Sequence, residues 1–209
     1  MIPSLLTVIS LSNAPVLASE TQLKISGGLT GEAVLVNKIQ SDGTKYVRLA
    51  MTLNGPDGRT VNVIQESVYD KNGRPMRKLQ TTTLPGGSAK QSASATFDAE
   101  GARIKFDQAG KTVTEAIPWP RGKKVEATPE FWFIRDQPKP GDVTTYWRLD
   151  LGSQSFVETK CQYHGKRQIT VGGKLVEAHF TTMGEAKAYT DNYGQPYLLE
   201  MNGARMERK

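Results

Sequence analysis

His164 and His179 are the only histidines in the chain and Cys161 is the only cysteine. Those side chains could ligate a metal with Glu158 and Glu177, or form a Cys-His nucleophile pair. Neither chemistry is favoured by the spacing. In a strand, Cys161 and His164 point to opposite faces. With Gly172-Gly173 as a two-residue hairpin loop, both histidines fall on the outer face, as diagonal neighbours roughly 7–8 Å apart at Cα. Two exposed polar residues, with no metal bound, is the expectation. Asp107, Glu115, Glu126 and Asp136 are carboxylates near an aromatic segment, and glycoside hydrolysis needs two carboxylates facing one cleft. Turn and helix-end duties account for most of them. The Asp-x-x-Gly turns lack the alternating acids and closing Glu of calcium loops. There is no phosphate loop, so the reading is a non-enzymatic protein without cofactor.

The elements that position these residues are strands. Asp70-Lys71-Asn72-Gly73, Asp98-Ala99-Glu100-Gly101, Asp107-Gln108-Ala109-Gly110 and Asp191-Asn192-Tyr193-Gly194 share one turn spacing. The Asp side chain accepts from backbone N–H groups ahead of it, and Gly takes positive φ without a Cβ penalty. Between turns, apolar and polar residues alternate. Val47, Leu49, Met51 and Leu53 share one face of a strand with Tyr46, Arg48, Ala50 and Thr52 on the other, the period of antiparallel sheet. Strands are predicted over 22–26, 31–39, 45–53, 60–69, 75–84, 92–97, 102–107, 111–117, 143–151, 155–164, 166–171, 174–183, 186–190 and 196–201. The short loops predict a meander.

One segment departs from that pattern. Thr128-Pro129-Glu130 reads as N-cap, first-turn proline and first-turn acid, followed by Phe131, Trp132, Phe133 and Ile134. A short helix near 129–136 follows, too short to persist alone, so it must lie on the sheet's apolar face. In the last third, the Gly172-Gly173 hairpin would place Val157, Cys161, Tyr163, Ile169 and Val171 on a core face with Val176, Ala178 and Phe180. Arg167 breaks that face, and Gly165 marks a bulge that lets it reach water. Trp119, between Pro118 and Pro120, reads as a plug at the end of the core; an aromatic–basic loop touching a membrane surface is the alternative.

Residues 1–18 carry no charged side chain, whereas 23% of the chain is charged. The apolar run Leu5–Leu11 and the small residues of Val16-Leu17-Ala18 predict a secretory signal cleaved after Ala18, although no Lys or Arg precedes the run. Residues 19–209 then form one β-sheet domain, periplasmic or secreted. The apolar run is too short to span a bilayer. A single cysteine excludes an intramolecular disulfide. The net charge of +6 suits anionic surfaces, but no aromatic residues interleave the basic ones, which disfavours nucleic acid.

Residues 128–201 assemble a recognisable series: Thr128 to Arg135, Lys139-Pro140-Gly141, Tyr163-His164-Gly165-Lys166, Val171-Gly172-Gly173-Lys174 and Tyr189 to Gly194. The series resembles a broad family of bacterial envelope proteins of unknown function, and the resemblance implies a strongly curved antiparallel sheet. That sheet also looks like the half-barrel of periplasmic lipoprotein carriers. The expected fold is all-β: one curved antiparallel meander sheet or partly open barrel with a short plug helix. The expected function is non-catalytic binding or scaffolding, with a lipid or acyl chain as candidate ligand. Phe131, Trp132, Trp147, Phe156 and Phe180 would line an apolar groove, and Arg121, Lys123 and Lys124 would meet an anionic headgroup. An envelope-glycan hydrolase and a structural module with a filled core are the competing readings.

Overall fold

The computed structural model describes residues 15–85, 90–108, 110–123, 132–133 and 136–209. Fourteen strands form one antiparallel sheet. The first eight are β1 (Pro15–Gly27), β2 (Thr30–Gln40), β3 (Lys45–Asn54), β4 (Thr60–Tyr69), β5 (Pro75–Thr83), β6 (Lys90–Phe97), β7 (Gly101–Gln108) and β8 (Lys111–Pro118). The other six are β9 (Val143–Asp150), β10 (Ser155–Val171), β11 (Lys174–Met183), β12 (Ala186–Thr190), β13 (Pro196–Met201) and β14 (Ala204–Arg208). Each pairs with its sequence neighbour within two meanders, β1–β8 and β9–β14, and pairing of β1 with β14 joins them. The sheet edges are therefore β8 and β9, which are consecutive in sequence and do not pair.

The turns explain the regularity. Asp70 Oδ1 accepts from the N–H groups of Asn72 and Arg74, both at 2.8 Å. Asp191 Oδ1 does the same for Tyr193 and Gln195 at 2.9 Å. Gly172 and Gly173 take φ of 55° and 76°, both positive as a type I′ hairpin requires.

Side-chain parity shows how the edges meet. Ser19, Asn37, Val47, Ser67, Lys78, Ala95 and Ile104 lie opposite one another across successive strands. In the other direction, Ile25, Met206, Leu199, Ala188, Thr181 and Tyr163 do so. Since Ser19 and Ile25 share a face of β1, both rows mark one concave face. Cys161 and Tyr146 belong to it. Leu149 and Phe156, of opposite parity, face the back of β9–β10. Yet Leu149, Leu151 and Phe156 pack with Ala93, Ala95, Ala102 and Ile104. The concave face of β6–β7 thus lies on the back of β9–β10. The sheet overlaps itself like a roll and closes by side-chain packing, not by backbone pairing. Lys78 Nζ donates to the main-chain oxygen of Leu149 at 2.7 Å, capping a group on the edge strand β9.

Trp132, Phe133 and Asp136 are helical; Phe131 and the other residues of the expected helix lie outside the described residues. Trp132 is buried against Tyr146, Cys161 and Tyr163, with Phe133 and Met183 beside it. These two aromatics plug the concave side, as expected.

Three expectations need correction. Residues 155–171 are one strand with a register shift between Tyr163 and Gly165, where Gly165 has φ of 91°. The bulge was expected; its effect is larger than the release of Arg167. It reverses the faces of the hairpin beyond it, so Phe180 pairs with Tyr189 on the face opposite Thr181 and Tyr163. Phe180 is therefore not on the core face with Cys161. The histidines are also separated: His164 stacks on Phe180, while His179 packs edge-on against Phe133. Finally, β14 has no counterpart among the predicted strands, and its pairing with β1 makes the topology two meanders instead of one.

Candidate functional site

The expected groove residues occupy three places. Trp132 is inside the roll. Trp147 and Phe156 lie on the back of β9–β10, at the seam. Phe180 is on the convex face, covered by the Arg167 guanidinium 4.3 Å from its ring centroid. Inside the roll, Leu35, Phe133, Met183, Ala188 and Leu199 line a cavity of ≈ 40 Å³. That space suits a water or two, not an acyl chain. Beside it, His179 Nε2 donates to Asn192 Oδ1 at 2.9 Å, which leaves Nδ1 to accept from the Tyr163 hydroxyl at 2.7 Å. Glu177 is engaged by Lys166 Nζ at 2.7 Å. Among the described residues, no three His, Cys, Asp or Glu side chains converge as metal ligands.

A larger space opens at the end of the seam. Trp119 stacks on Phe97 of β6 at 5.6 Å and tilts against Phe156 of β10 at 5.3 Å. Its indole N–H donates to the Asp98 carbonyl at 2.9 Å. Trp119 thus closes the end of the overlap core while one side of it stays open. Lys123 Nζ lies 5.6 Å from the Trp147 ring centroid, within the range of cation–π attraction. Met76, Phe97, Trp119, Arg74 and Lys123 line a cleft of ≈ 800 Å³. Asp70 and Asp98 line it too, but each is bound by its own turn. Asp98 Oδ1 accepts from the N–H groups of Glu100 and Gly101 at 2.8 and 3.1 Å, and Oδ2 from Arg103 at 3.0 Å. Those bonds, led by the Glu100 N–H, hold the Asp98 carboxyl below its usual range. Of the expected cationic residues, Lys123 faces this cleft, Arg121 is exposed on the turn before it, and Lys124 lies outside the described residues.

A second feature carries no strong sequence signal. Asn37, 2% exposed, and Gln195, 5% exposed, are buried on the concave face. Asn37 Nδ2 and Thr21 Oγ1 both donate to Gln195 Oε1, at 3.2 and 3.4 Å. The only cue is Asn37 itself, which stands among Ala33, Leu35 and Ile39 in an apolar alternation.

No protein-family model matches the chain, and no curated protein matches it. The chain is similar to the crystal structure of a beta-barrel-like protein of a domain of unknown function, DUF1849, from Brucella abortus. The TM-score is 0.62 at 11% sequence identity, over 93% of this chain and 97% of that one. At that identity the likeness concerns the fold: an all-β, barrel-like sheet shared with a bacterial protein of unknown function. No helix among the described residues is long and apolar enough to cross a membrane.

Proposed function

We propose that the protein is an exported, non-catalytic binding protein of the bacterial envelope, and that the Trp119 cleft receives an anionic lipid. The supporting observation is the composition of that cleft. Met76, Phe97 and Trp119 offer apolar surface, and Arg74 and Lys123 stand beside it as cations. Among the described residues Arg74 has no ion-pair partner, whereas the two aspartates are already bonded. Such a site takes the first carbons of an acyl chain against the rings and its headgroup at the rim. Its ≈ 800 Å³ falls within the roughly 300–1,000 Å³ of small-molecule sites. Titration with oleate and with phosphatidylglycerol, followed by tryptophan emission, tests this. Saturable binding is expected, at least tenfold weaker in Lys123→Glu and in Trp119→Leu. Absence of saturable binding by both lipids would leave the structural module. That second reading draws on Trp119 being half-buried in the seam and on the small interior cavity. A glycan hydrolase is disfavoured because both cleft carboxylates are consumed by turns.

Export rests on the charge-free apolar start. Cleavage after Ala18 would remove the pairs that Leu17 and Ala18 make with Ile39 and Lys38, and would keep those from Ser19 onward. N-terminal sequencing of the natural protein is expected to begin at Ser19; an intact Met1 in the cytoplasm would overturn export.

A further inference from the structure

We infer that the buried polar cluster around Gln195 is a binding site for a neutral, polyhydroxylated ligand of sugar type, separate from the Trp119 cleft. Pairing of β1 with β14 runs only over Leu23–Gly27, extended by the Lys209 N–H to the Gln22 oxygen at 3.0 Å. Upstream of Gln22, β1 is bridged to the Asp191–Gln195 turn by side chains alone. There a cleft of ≈ 560 Å³ is lined by Ser19, Thr21, Tyr193 and Gln195 among others.

The Gln195 oxygen accepts from Asn37 and Thr21; exchanging O and N in both amides together keeps these contacts and still leaves one donor and one acceptor over. Gln195 Nε2, Asn37 Oδ1 and Ser19 Oγ are all buried without a partner among the described residues. Leaving such groups unpaired costs about 1–3 kcal/mol each, so Ser19 and Gln195, which line the cleft, with Asn37 bonded behind Gln195, favour a polar occupant. The three atoms supply donors and acceptors and no charge. At the rim Arg208 Nη2 lies 3.0 Å from Asp191 Oδ2 and Lys209 is paired with Glu32, with Glu20 the remaining charged residue of the lining. An acyl chain finds amides and hydroxyls in the cleft, and in a chain cleaved before Ser19 the new α-ammonium adds a donor beside the Ser19 hydroxyl. Vicinal hydroxyls match this set, since each both donates and accepts. Tyr193, 67% exposed, provides a ring face for the C–H side of a sugar. A hydroxyl enters by parting β1 from the turn, where no backbone ladder resists.

The test is an NMR titration of the ¹⁵N-labelled protein with glucose, galactose and N-acetylglucosamine. At least one sugar is expected to shift the Gln195 side-chain amide signals saturably, with palmitate leaving them in place. Gln195→Met should weaken that sugar at least tenfold. If this variant fails to fold, Ser19→Ala, which removes one hydroxyl, should weaken it about threefold. Unshifted Gln195 signals with all three sugars would overturn the proposal. So would a crystal soaked in sugar that shows only ordered waters on Ser19, Asn37 and Gln195.

Discussion

The seam and the plugged interior bury apolar surface in opposite ways. At the seam, two stretches of one sheet lie face to face. Ala93, Ala95 and Ala102 on one side receive Leu149, Leu151 and Phe156 from the other. Packed sheet faces stand about 10 Å apart, and alanines on one face leave room for large side chains from the opposite one. In the interior the strands curve away from one another, and the space is filled by Trp132, Tyr146 and Tyr163 around Cys161. The difference teaches where each region is fragile. An aromatic-filled space fails by truncation, and an alanine-lined seam fails by overfilling.

The largest effect is expected in the interior. Trp132→Ala should destabilise the protein by about 3–5 kcal/mol, the usual cost of removing a buried aromatic. Denaturant melts would read it, and a loss under about 1 kcal/mol would mean the plug is not part of the folded core. The seam gives the next effect. Ala95, 1% exposed, leaves no room for a branched side chain, so Ala95→Leu should cost about 1–3 kcal/mol through forced displacement. Faster hydrogen exchange at β9, with the β1–β4 amides unchanged, would locate the damage at the overlap. Unchanged melts and exchange would show that the two sheet faces do not meet.

That contrast also separates what the sequence makes legible from what it does not. Alternation marks strands wherever one face is buried, as in Val47 to Leu53 or in Ala33 to Ile39. It fails for Ala204–Arg208, where Met206 is the one large apolar residue and the strand is held by β1 from the far end of the chain. No local pattern encodes that partner. The overlap is hidden for the same reason: Leu149 and Phe156 read as core, but not as core on the reverse face from Cys161. Phe180 shows how one residue decides a face. A one-residue slip moves every later side chain to the other side, so the bulge at Gly165 carries Phe180 to the face opposite Tyr163. Trp119 was legible as an end plug because prolines on both sides and an aromatic side chain fix its role locally. The Gln195 cluster was not, because Gln195 sits in a turn and meets Asn37 only through the pairing of distant strands.

The smallest effect sharpens the seam through pH. Lys78 reaches the Leu149 oxygen across the overlap. Burial, and secondarily the nearby Arg148, lower its pKa from 10.5 to about 8. The folded value lies below the unfolded one, so between pH 8 and 10.5 the unfolded chain holds more protons and stability rises with pH. Below pH 8 both states carry the proton, and the cost of shielding the ammonium is present in full. Lys78→Met removes this dependence while retaining a side chain of similar length. The stability of the wild type relative to the variant should therefore increase by about 1–2 kcal/mol between pH 7.5 and 10.5, taking about 1.4 kcal/mol per pH unit of displacement and discounting for residual solvent. The lost bond to Leu149 shifts the whole curve by a constant and leaves its slope alone. Paired denaturant melts across that range measure the difference directly. A flat difference would place the ammonium in water and make the overlap wet at β5, with the alanine-lined contact alone closing the roll.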